Sequence, residues 1–287
     1  MSVWFSAGYA VAGAATELAA GVASRASNFT TVLLWSAPAA LVVAVVAALL
    51  NPGRISADSI WLGLVAGIVG GAALPLAFHA LAIGPIGVVA SVIACTSTIA
   101  LGCAGIITEG LPSGGVWIGM ALCVIALVSL GHRRAQPESA RTTTAGARAT
   151  RPRALLLAMT AGLGYAGFTF LMSLAQRNES GPVALVAART AVLVVACCLP
   201  LLTGLPRRPT ATVAAFSVSA GILDVAANLS LLAALATTPL ITVAIVGSTS
   251  PGLAALGAAI LLKERLTSWQ VGGIALAAAG AILAATT

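Results

Sequence analysis

Charged residues are scarce in this chain. Asp, Glu, Lys and Arg make up 7% of its 287 residues, whereas 60% are hydrophobic. A water-soluble protein of this length needs far more polar surface to cover its core. The mean hydropathy of +1.07 agrees with this deficit. The composition therefore excludes a soluble globular domain and predicts an integral membrane protein.

The chain also lacks the alternation of polar and apolar residues that a membrane β-barrel requires. Its apolar runs are continuous and rich in Ala, Leu and Val. Backbone groups in lipid must be paired within the protein, so only helices or closed barrels span a bilayer. A spanning helix needs about 20 apolar residues. The sequence thus predicts an all-α membrane bundle.

Enzyme signatures are missing as well. There are two histidines, far apart, and no metal-ligand spacing, phosphate loop or nucleophile elbow. We therefore predict no enzyme activity, no cofactor and no metal. The five cysteines lie within apolar runs and are interpreted as small buried residues. The net charge of +7 comes without a basic patch interleaved with aromatics, so no nucleic-acid partner is expected.

The apolar runs divide into ten predicted spans. In residue numbers they are 3–22, 29–50, 59–82, 85–107, 115–131, 154–175, 182–204, 211–235, 239–262 and 268–285. The first residues lack the charged segment of a signal peptide, so 3–22 is expected to stay as the first span. A polar stretch, 132–153, carries six arginines and one acid. It is predicted to be a linker between a first repeat, 1–131, and a second, 154–287.

The two halves share a sequence pattern. Ala80, Leu81, Ala82 and Pro85 recur 154 positions later as Ala234, Leu235, Ala236 and Pro239, and Glu109, Leu111, Ser113 and Val116 recur 155 positions later as Glu264, Leu266, Ser268 and Val271. Each copy is an apolar run, a polar corner with a Glu, and a second apolar run. Because five spans per half is an odd number, two halves of one fold must enter the membrane from opposite sides. Such inverted repeats are typical of secondary transporters that work by alternating access.

These features resemble the drug/metabolite transporter superfamily, in its EamA-type branch. The resemblance covers nearly the whole chain and rests on the five-plus-five helices, Ala-Leu-Ala before the fourth helix, Thr249-Ser250-Pro251 within the ninth, Glu264 at a corner and glycines in the tenth. The first half departs from the pattern, with Ser97-Thr98 where the second has a Ser-Pro step. The resemblance implies transport of amino acids, other metabolites or toxic compounds, mostly outward.

Ionisable groups inside a span are costly and call for a specific role. Glu17 lies on one face of the first helix with Gly13 and Gly21, four residues apart on either side. It could take up and release a proton during transport. The alternative is a hydrated position near the membrane surface, paired with Arg25.

The eighth span carries a second carboxylate near its middle, Asp224, with Asn228 one turn further on the same face. Arg189 in the seventh span is its natural counter-ion, because a buried guanidinium needs an anionic partner. A permanent pair would be structural. Alternatively, Arg189 binds a substrate carboxylate while Asp224 takes an amine or proton, which would suit a zwitterion such as an amino acid.

Other candidates are His79 and the aromatic residues. His79 has the apolar Ala233 at the matching place in the second half, so it is either a proton relay or a hydrogen-bonded structural residue. Tyr165, with Tyr9, Trp35 and Phe168, could line an amphipathic cavity or anchor the membrane surface. Glu109 and Glu264 are interpreted as corner-forming groups rather than substrate ligands.

Loop charges predict the orientation. Loops on the side of the linker carry 11 basic residues, whereas the other side carries Arg54 and Arg177. The positive-inside bias places the linker in the cytoplasm and both termini outside, although the family resemblance implies cytoplasmic termini.

Together these features predict a multi-pass plasma-membrane secondary transporter of small metabolites, an exporter with proton coupling as a hypothesis. Its partners would be a small-molecule substrate, the lipid bilayer and protons. The alternatives are a membrane sensor or structural protein, or an intramembrane enzyme.

Overall fold

The computed structural model describes residues 2–83, 86–131, 146–203, 208–261 and 267–287. Eleven helices form within these ranges: α1 Ser2–Ala26, α2 Phe29–Leu50, α3 Ala57–Ile83, α4 Ile86–Glu109, α5 Gly114–Gly131, α6 Gly146–Arg177, α7 Pro182–Thr203, α8 Ala211–Leu235, α9 Leu240–Gly247, α10 Ser250–Leu261 and α11 Ser268–Thr286. The described part of the chain contains no strand. The all-α class is therefore confirmed.

Eight of the spans in the described ranges are long and apolar enough to cross a membrane, when α9 and α10 are counted together. Within the same ranges α5 is a shorter apolar helix. The helix α1 has 25 residues but a more polar sequence, which includes Glu17 and Thr16. It nevertheless packs closely along α8 and is part of the bundle. The described helices thus form ten spans if α9 and α10 are one broken span.

Most predicted boundaries agree with the helices, and two expectations need correction. The ninth span was expected to run unbroken over 239–262, but it is interrupted at Ser248 and Thr249. The linker was expected to reach Arg153, but α6 already begins at Gly146. The reason is local, since Ala and Arg are good helix formers and extend the span backwards. The first part of the linker, 132–145, lies outside the described residues.

A proline explains the interruption of the ninth span. Pro251 has no N–H to donate to the carbonyl of Gly247. A proline is tolerated best in the first turn of a helix, and Pro251 lies in the first turn of α10. The side chains before it also bond back to the helix. Ser248 Oγ donates to the Ile245 carbonyl and Thr249 Oγ1 to the Val246 carbonyl, both at 2.7 Å. These bonds close the end of α9 before α10 begins.

Eight spans form a ring. Going around it, α1 packs on α8, α8 on α2, α2 on α7, α7 on α3, α3 on α6, α6 on α4, α4 on α9, and α9 with α10 on α1. The remaining pair, α5 and α11, pack on each other and lie beside α4 and α9. The ring therefore encloses a central space. On one side of it, α5 and α11 form a second layer outside α4 and α9.

The contacts around the ring follow a two-fold pattern. Exchanging each span of the first half with its counterpart in the second turns the α1–α8 contact into α6–α3, α2–α8 into α7–α3, and α4–α6 into the contact of α9 and α10 with α1. The exchange leaves three contacts unchanged, because their two helices are counterparts of each other: α2–α7, α4–α9 and α5–α11. This is the pattern that two repeats of five helices produce.

Small residues allow the close contacts of the ring. Gly63 and Gly67 of α3 face the backbone carbonyls of Ala184 and Ala188 on α7, so closely that a Cβ would collide with them. Without a hydrophobic drive between helices in lipid, such backbone proximity is a main source of packing energy.

Candidate substrate and proton site

The central space lies between α1 and α6, the first helices of the two halves. In the described residues these two helices make hardly any direct contact, and the same holds for α3 and α8. The two helices of each pair instead face each other across the middle of the ring. Polar side chains that point from α1, α6 and α8 into this middle are therefore candidates for contact with a substrate.

Glu17 lies in this space. Its side chain is exposed, although α1 is packed against α8, α9 and α10. Ser250, at the start of α10, donates a hydrogen bond to Glu17 Oε1 at 3.2 Å. Gly13, one turn earlier on α1, makes room for that serine, because a Cβ at position 13 would lie 3.1 Å from Ser250 Oγ. The predicted stripe on α1 thus packs against the break in the ninth span, where Glu17 meets Ser250. The side chain of Arg25, the other partner considered for Glu17, lies outside the described residues.

Two tyrosines flank the carboxylate. They are the only tyrosines in the chain, and each lies within a Gly-Tyr-Ala tripeptide, Gly8 to Ala10 in α1 and Gly164 to Ala166 in α6. Tyr9 and Tyr165 both lie within the range over which the charges of Glu17 and Asp224 act. Four side chains from three helices therefore share one site.

Packing fixes the position of Tyr9. Its ring lies against Gly247 at the end of α9, where a Cβ would overlap the ring. Its hydroxyl is near the side chain of Thr169 on α6. Tyr9 therefore reaches from α1 towards the opposite side of the space.

Asp224 and Arg189 form the predicted ion pair. Arg189 Nη1 lies 2.5 Å from Asp224 Oδ2, which connects α7 to α8. Asn228, one turn after Asp224, donates from Nδ2 to Asp224 Oδ1 at 3.0 Å and to its backbone carbonyl at 2.7 Å. The carboxylate is thus oriented by both neighbours.

The two members of this pair differ in exposure. The side chain of Asp224 is 36% exposed and that of Arg189 only 9%. Arg189 Nε is buried and has no hydrogen-bond partner among the described residues. The carboxylate therefore faces the central space, whereas the guanidinium lies behind it.

His79 does not join this group. It lies on α3, four residues before the end of the helix, and its side chain is exposed. No hydrogen bond or ion pair in the described ranges connects it with Glu17 or Asp224. Of the other aromatic candidates, Trp35 on α2 is exposed and Phe168 on α6 packs against Gly70 of α3.

Glu109 occupies a junction at one end of the ring. The helix α4 ends there because Gly110 adopts a φ of 91°, a conformation that glycine favours at this position. Glu109 Oε2 accepts a hydrogen bond from the Leu240 N–H at the start of α9, at 2.8 Å, and Oε1 pairs with Arg177 at the end of α6, at 3.2 Å. Glu109 thus joins three helices of both halves, as its interpretation as a corner group implies. Glu264 lies outside the described residues.

A separate cavity of about 320 Å³ opens near this junction. Its wall includes Ser6 of α1, Thr238 and Thr242 near the start of α9, and Ala285 at the end of α11. The hydroxyls of Ser6 and Thr238 are buried and have no partner in the described ranges. None of the charged groups of the central site lines this cavity. The described residues also contain no group of three His, Cys, Asp or Glu side chains suited to hold a metal ion.

The similarity to known proteins agrees with this architecture. Residues 152–286 match the model of the EamA-like transporter family. The second half of this chain is an EamA-like transporter domain. This finding confirms the resemblance to the EamA-type branch of the drug/metabolite transporter superfamily for the second half of the chain.

Solved structures extend the comparison to the whole chain. Twenty-nine chains match it, among them a crystal structure described only as that of a protein, with a TM-score of 0.78 and 15% sequence identity. That match covers 98% of this chain and 95% of the other, so the fold of the EamA-like domain and of the preceding half recurs as one unit. At this identity the likeness concerns the fold alone. No curated protein matches the sequence.

Sequence reasoning missed two members of the site. Ser250 was noted as part of a motif but not as the partner of Glu17, which is 233 positions away in the chain. Tyr9 was considered only as one of several aromatics. The repeated Gly-Tyr-Ala tripeptide was a signal for Tyr9. No pattern in the sequence predicts the contact between Ser250 and Glu17.

Proposed function

We propose that this EamA-like protein is a secondary transporter that moves a small polar or amphipathic metabolite by alternating access, in exchange for protons. The proposed direction is export, across the plasma membrane, in keeping with the family resemblance. The observation that carries the proposal is the ring of eight spans with a carboxylate, Glu17, in its centre. A charged group in such a place is expensive unless it serves a substrate or proton path.

The contacts of the ring suggest how access alternates. Each ring contact of the first half has a counterpart in the second, so rocking one set of helices against the other converts an opening at one end into an opening at the other. The junction at Glu109 connects α4, α6 and α9 at one end of the ring. In the proposed cycle, these contacts of Glu109 separate when the helices rock.

Glu17 carries the exchange of substrate and proton. In one state its carboxylate is charged and binds the substrate, and in the other it is protonated and the substrate has left. The titratable or charged groups around it are Asp224 of α8 with its partner Arg189, Tyr9 on the same helix and Tyr165 of α6. The segments α2, α9 and α10 contribute no titratable side chain. A proton that enters the site can therefore bind to either of two carboxylates. Among the described contacts, only Glu17 lacks a basic partner.

Transport in proteoliposomes tests the proposal. Purified protein would be reconstituted with a pH-sensitive dye inside the vesicles, and panels of amino acids, amines and sugars would be added under an imposed pH gradient. We expect at least one class to cause proton movement in the wild type and not in Glu17→Gln. Asp58→Asn, which removes an exposed carboxylate at the start of α3, is the matched control and should behave as the wild type. Transport with unchanged pH dependence in Glu17→Gln combined with Asp224→Asn would refute proton coupling.

A further inference from the structure

We infer that the substrate of this site is an organic amine that enters as a cation, bound by the carboxylate of Glu17 and in contact with the aromatic side chains of Tyr9 and Tyr165. The inference rests on the proposed transport function and narrows its substrate class. It favours a cation over the zwitterion that the sequence also allowed.

The argument starts from the charges that a substrate meets. Among the described residues, three charged side chains belong to the site: Glu17, Asp224 and Arg189. Arg189 forms an ion pair with Asp224 and is nearly buried, whereas the side chains of Asp224 and Glu17 are at least partly exposed. The surface offered to a substrate therefore carries carboxylate oxygens, and its net charge is negative. A substrate carboxylate would meet repulsion here, whereas an amine finds acceptors.

The partner of Glu17 supports this assignment. Its hydrogen bond comes from the neutral hydroxyl of Ser250, at 3.2 Å, and not from a basic residue. A carboxylate in the interior of a membrane protein normally pairs with a cation or is neutralised. The described residues supply no such cation for Glu17, so the substrate ammonium or a proton takes that place.

The tyrosines account for the apolar part of the substrate. Tyr165 lies one turn before Thr169 on the same face of α6, and Tyr9 reaches from α1 to Thr169 with its hydroxyl, so the two tyrosines lie near each other in the central space. Both are half-buried and both lie within range of the charges of the two carboxylates. Aromatic faces attract organic cations, and the attraction increases when water is excluded. A compound with an ammonium group next to an aromatic or aliphatic body fits this combination.

The test compares three compounds with the same phenyl body: phenylethylamine, a cation; phenylalanine, a zwitterion; and 3-phenylpropionate, an anion. Binding to the purified full chain in detergent would be measured by titration calorimetry. We expect phenylethylamine to bind at least about tenfold more tightly than phenylalanine, since the zwitterion brings a second carboxylate to an acidic surface. The anion should not bind. Equal or tighter binding of phenylalanine, or no binding of any of the three, would overturn the inference.

Variants assign the contacts. Glu17→Gln should weaken the binding of phenylethylamine at least about tenfold, and Glu17→Asp should restore part of it. Tyr9→Leu and Tyr165→Leu should each weaken binding about threefold to tenfold, whereas Tyr9→Phe and Tyr165→Phe keep the ring and should each weaken binding less than the Leu variant at the same position. Asp58→Asn is again the control, and melting temperatures verify that each variant is folded. Unchanged binding in folded Glu17→Gln would contradict the assignment.

Uptake into proteoliposomes separates this inference from the proposed function. If phenylethylamine binds but is not moved, the cation site stands and the transport proposal fails. If phenylalanine is moved while phenylethylamine neither binds nor moves, the protein is a transporter and the cation site is wrong.

Discussion

Two equivalent interfaces of the ring have different chemistry. Where α6 packs on α4, Val89 of α4 is buried with Ala154 and Ala158 of α6 and with Ala80 of the adjoining α3, and Ile93 packs beside them, so this cluster is apolar. The matching interface of α1 with α9 and α10 contains Glu17 and the hydroxyl of Ser250. The helix α6 carries no acid at all. One backbone arrangement thus serves a packing interface in one place and a polar site in the other.

The helices themselves differ in the same way. The fourth span is continuous from Ile86 to Glu109, and Thr98 merely bonds back to the Ala94 carbonyl, at 2.9 Å, without a break. Its counterpart is interrupted before Pro251. The interruption brings Ser250 to the start of a new helix beside Glu17. The comparison indicates that the two-fold scaffold provides the central space, and that departures from the symmetry provide the chemistry.

The largest effect is expected from the acid that only one interface has. Glu17→Gln keeps the shape of the side chain but removes its charge, so substrate-driven proton movement should fall at least about tenfold and lose its pH dependence. The measurement is the initial rate in proteoliposomes between pH 6 and pH 8. Unaltered rates across this range would show that the polar interface is not the site of coupling.

Next in size is the ion pair behind the site. Arg189→Ala leaves Asp224 without its cation. Because Arg189 is nearly buried but Asp224 is partly exposed, the free energy of unfolding should fall by about 1 to 3 kcal/mol, between the values for exposed and for buried pairs. Thermal melting in detergent would measure this loss. The double variant Arg189→Leu with Asp224→Leu should recover most of it, because no uncompensated charge remains. If the double variant were as unstable as the single one, the packing of Arg189 rather than its charge would be responsible.

A smaller effect should distinguish the two interfaces directly. Ser250→Ala removes the hydrogen bond to Glu17, and bonds to charged groups contribute about 1.5 to 3 kcal/mol. Because the space is open to water, we expect a loss of about threefold to tenfold in substrate affinity. The matched change is Thr96→Val on α4, where the threonine packs against Gly162 of α6. It should leave affinity unchanged, and an equal loss in both variants would mean that the interfaces do not differ in function.

The smallest effect concerns the interruption itself. Pro251→Ala returns an N–H that can bond to the Gly247 carbonyl, so α9 and α10 should join into a helix like α4. The free energy of unfolding should rise by an amount on the order of 1 kcal/mol, which a slightly higher melting temperature would show. Hydrogen exchange of residues 247–253 should slow, and transport should fall about twofold. Faster exchange in this segment would contradict the assignment of the break to the proline.

Much of the fold was predictable because it depends on local chemistry. The second and eighth spans were predicted at the residues where α2 and α8 begin and end. The break at Ser248 was not predicted, although Pro251 was visible, since a proline in a membrane helix often bends it without ending it. Whether a helix ends there depends on side chains such as Ser248 and Thr249 that bond back to the carbonyls.

The candidate site was predictable in part. Asp224, Asn228 and Arg189 form one group as expected, because residues one turn apart share a face and a buried guanidinium needs an acid. His79 was a candidate as a proton relay or a hydrogen-bonded structural residue, and the described contacts leave it apart from the carboxylates. The exposure of Asp224 relative to Arg189, which decides what a substrate meets, follows from the packing of α7 and cannot be inferred from either residue.

The sequence by itself determined that this protein lies in a membrane, that it is helical and where its spans run. The physical reason is that long apolar runs leave the backbone no partner except its own helix. Only the tertiary structure decided which polar groups from different helices meet, such as Glu17 with Ser250. Those meetings depend on the order of helices around the ring, which is set by small residues that let particular helices approach, and not by any property of the polar residues themselves.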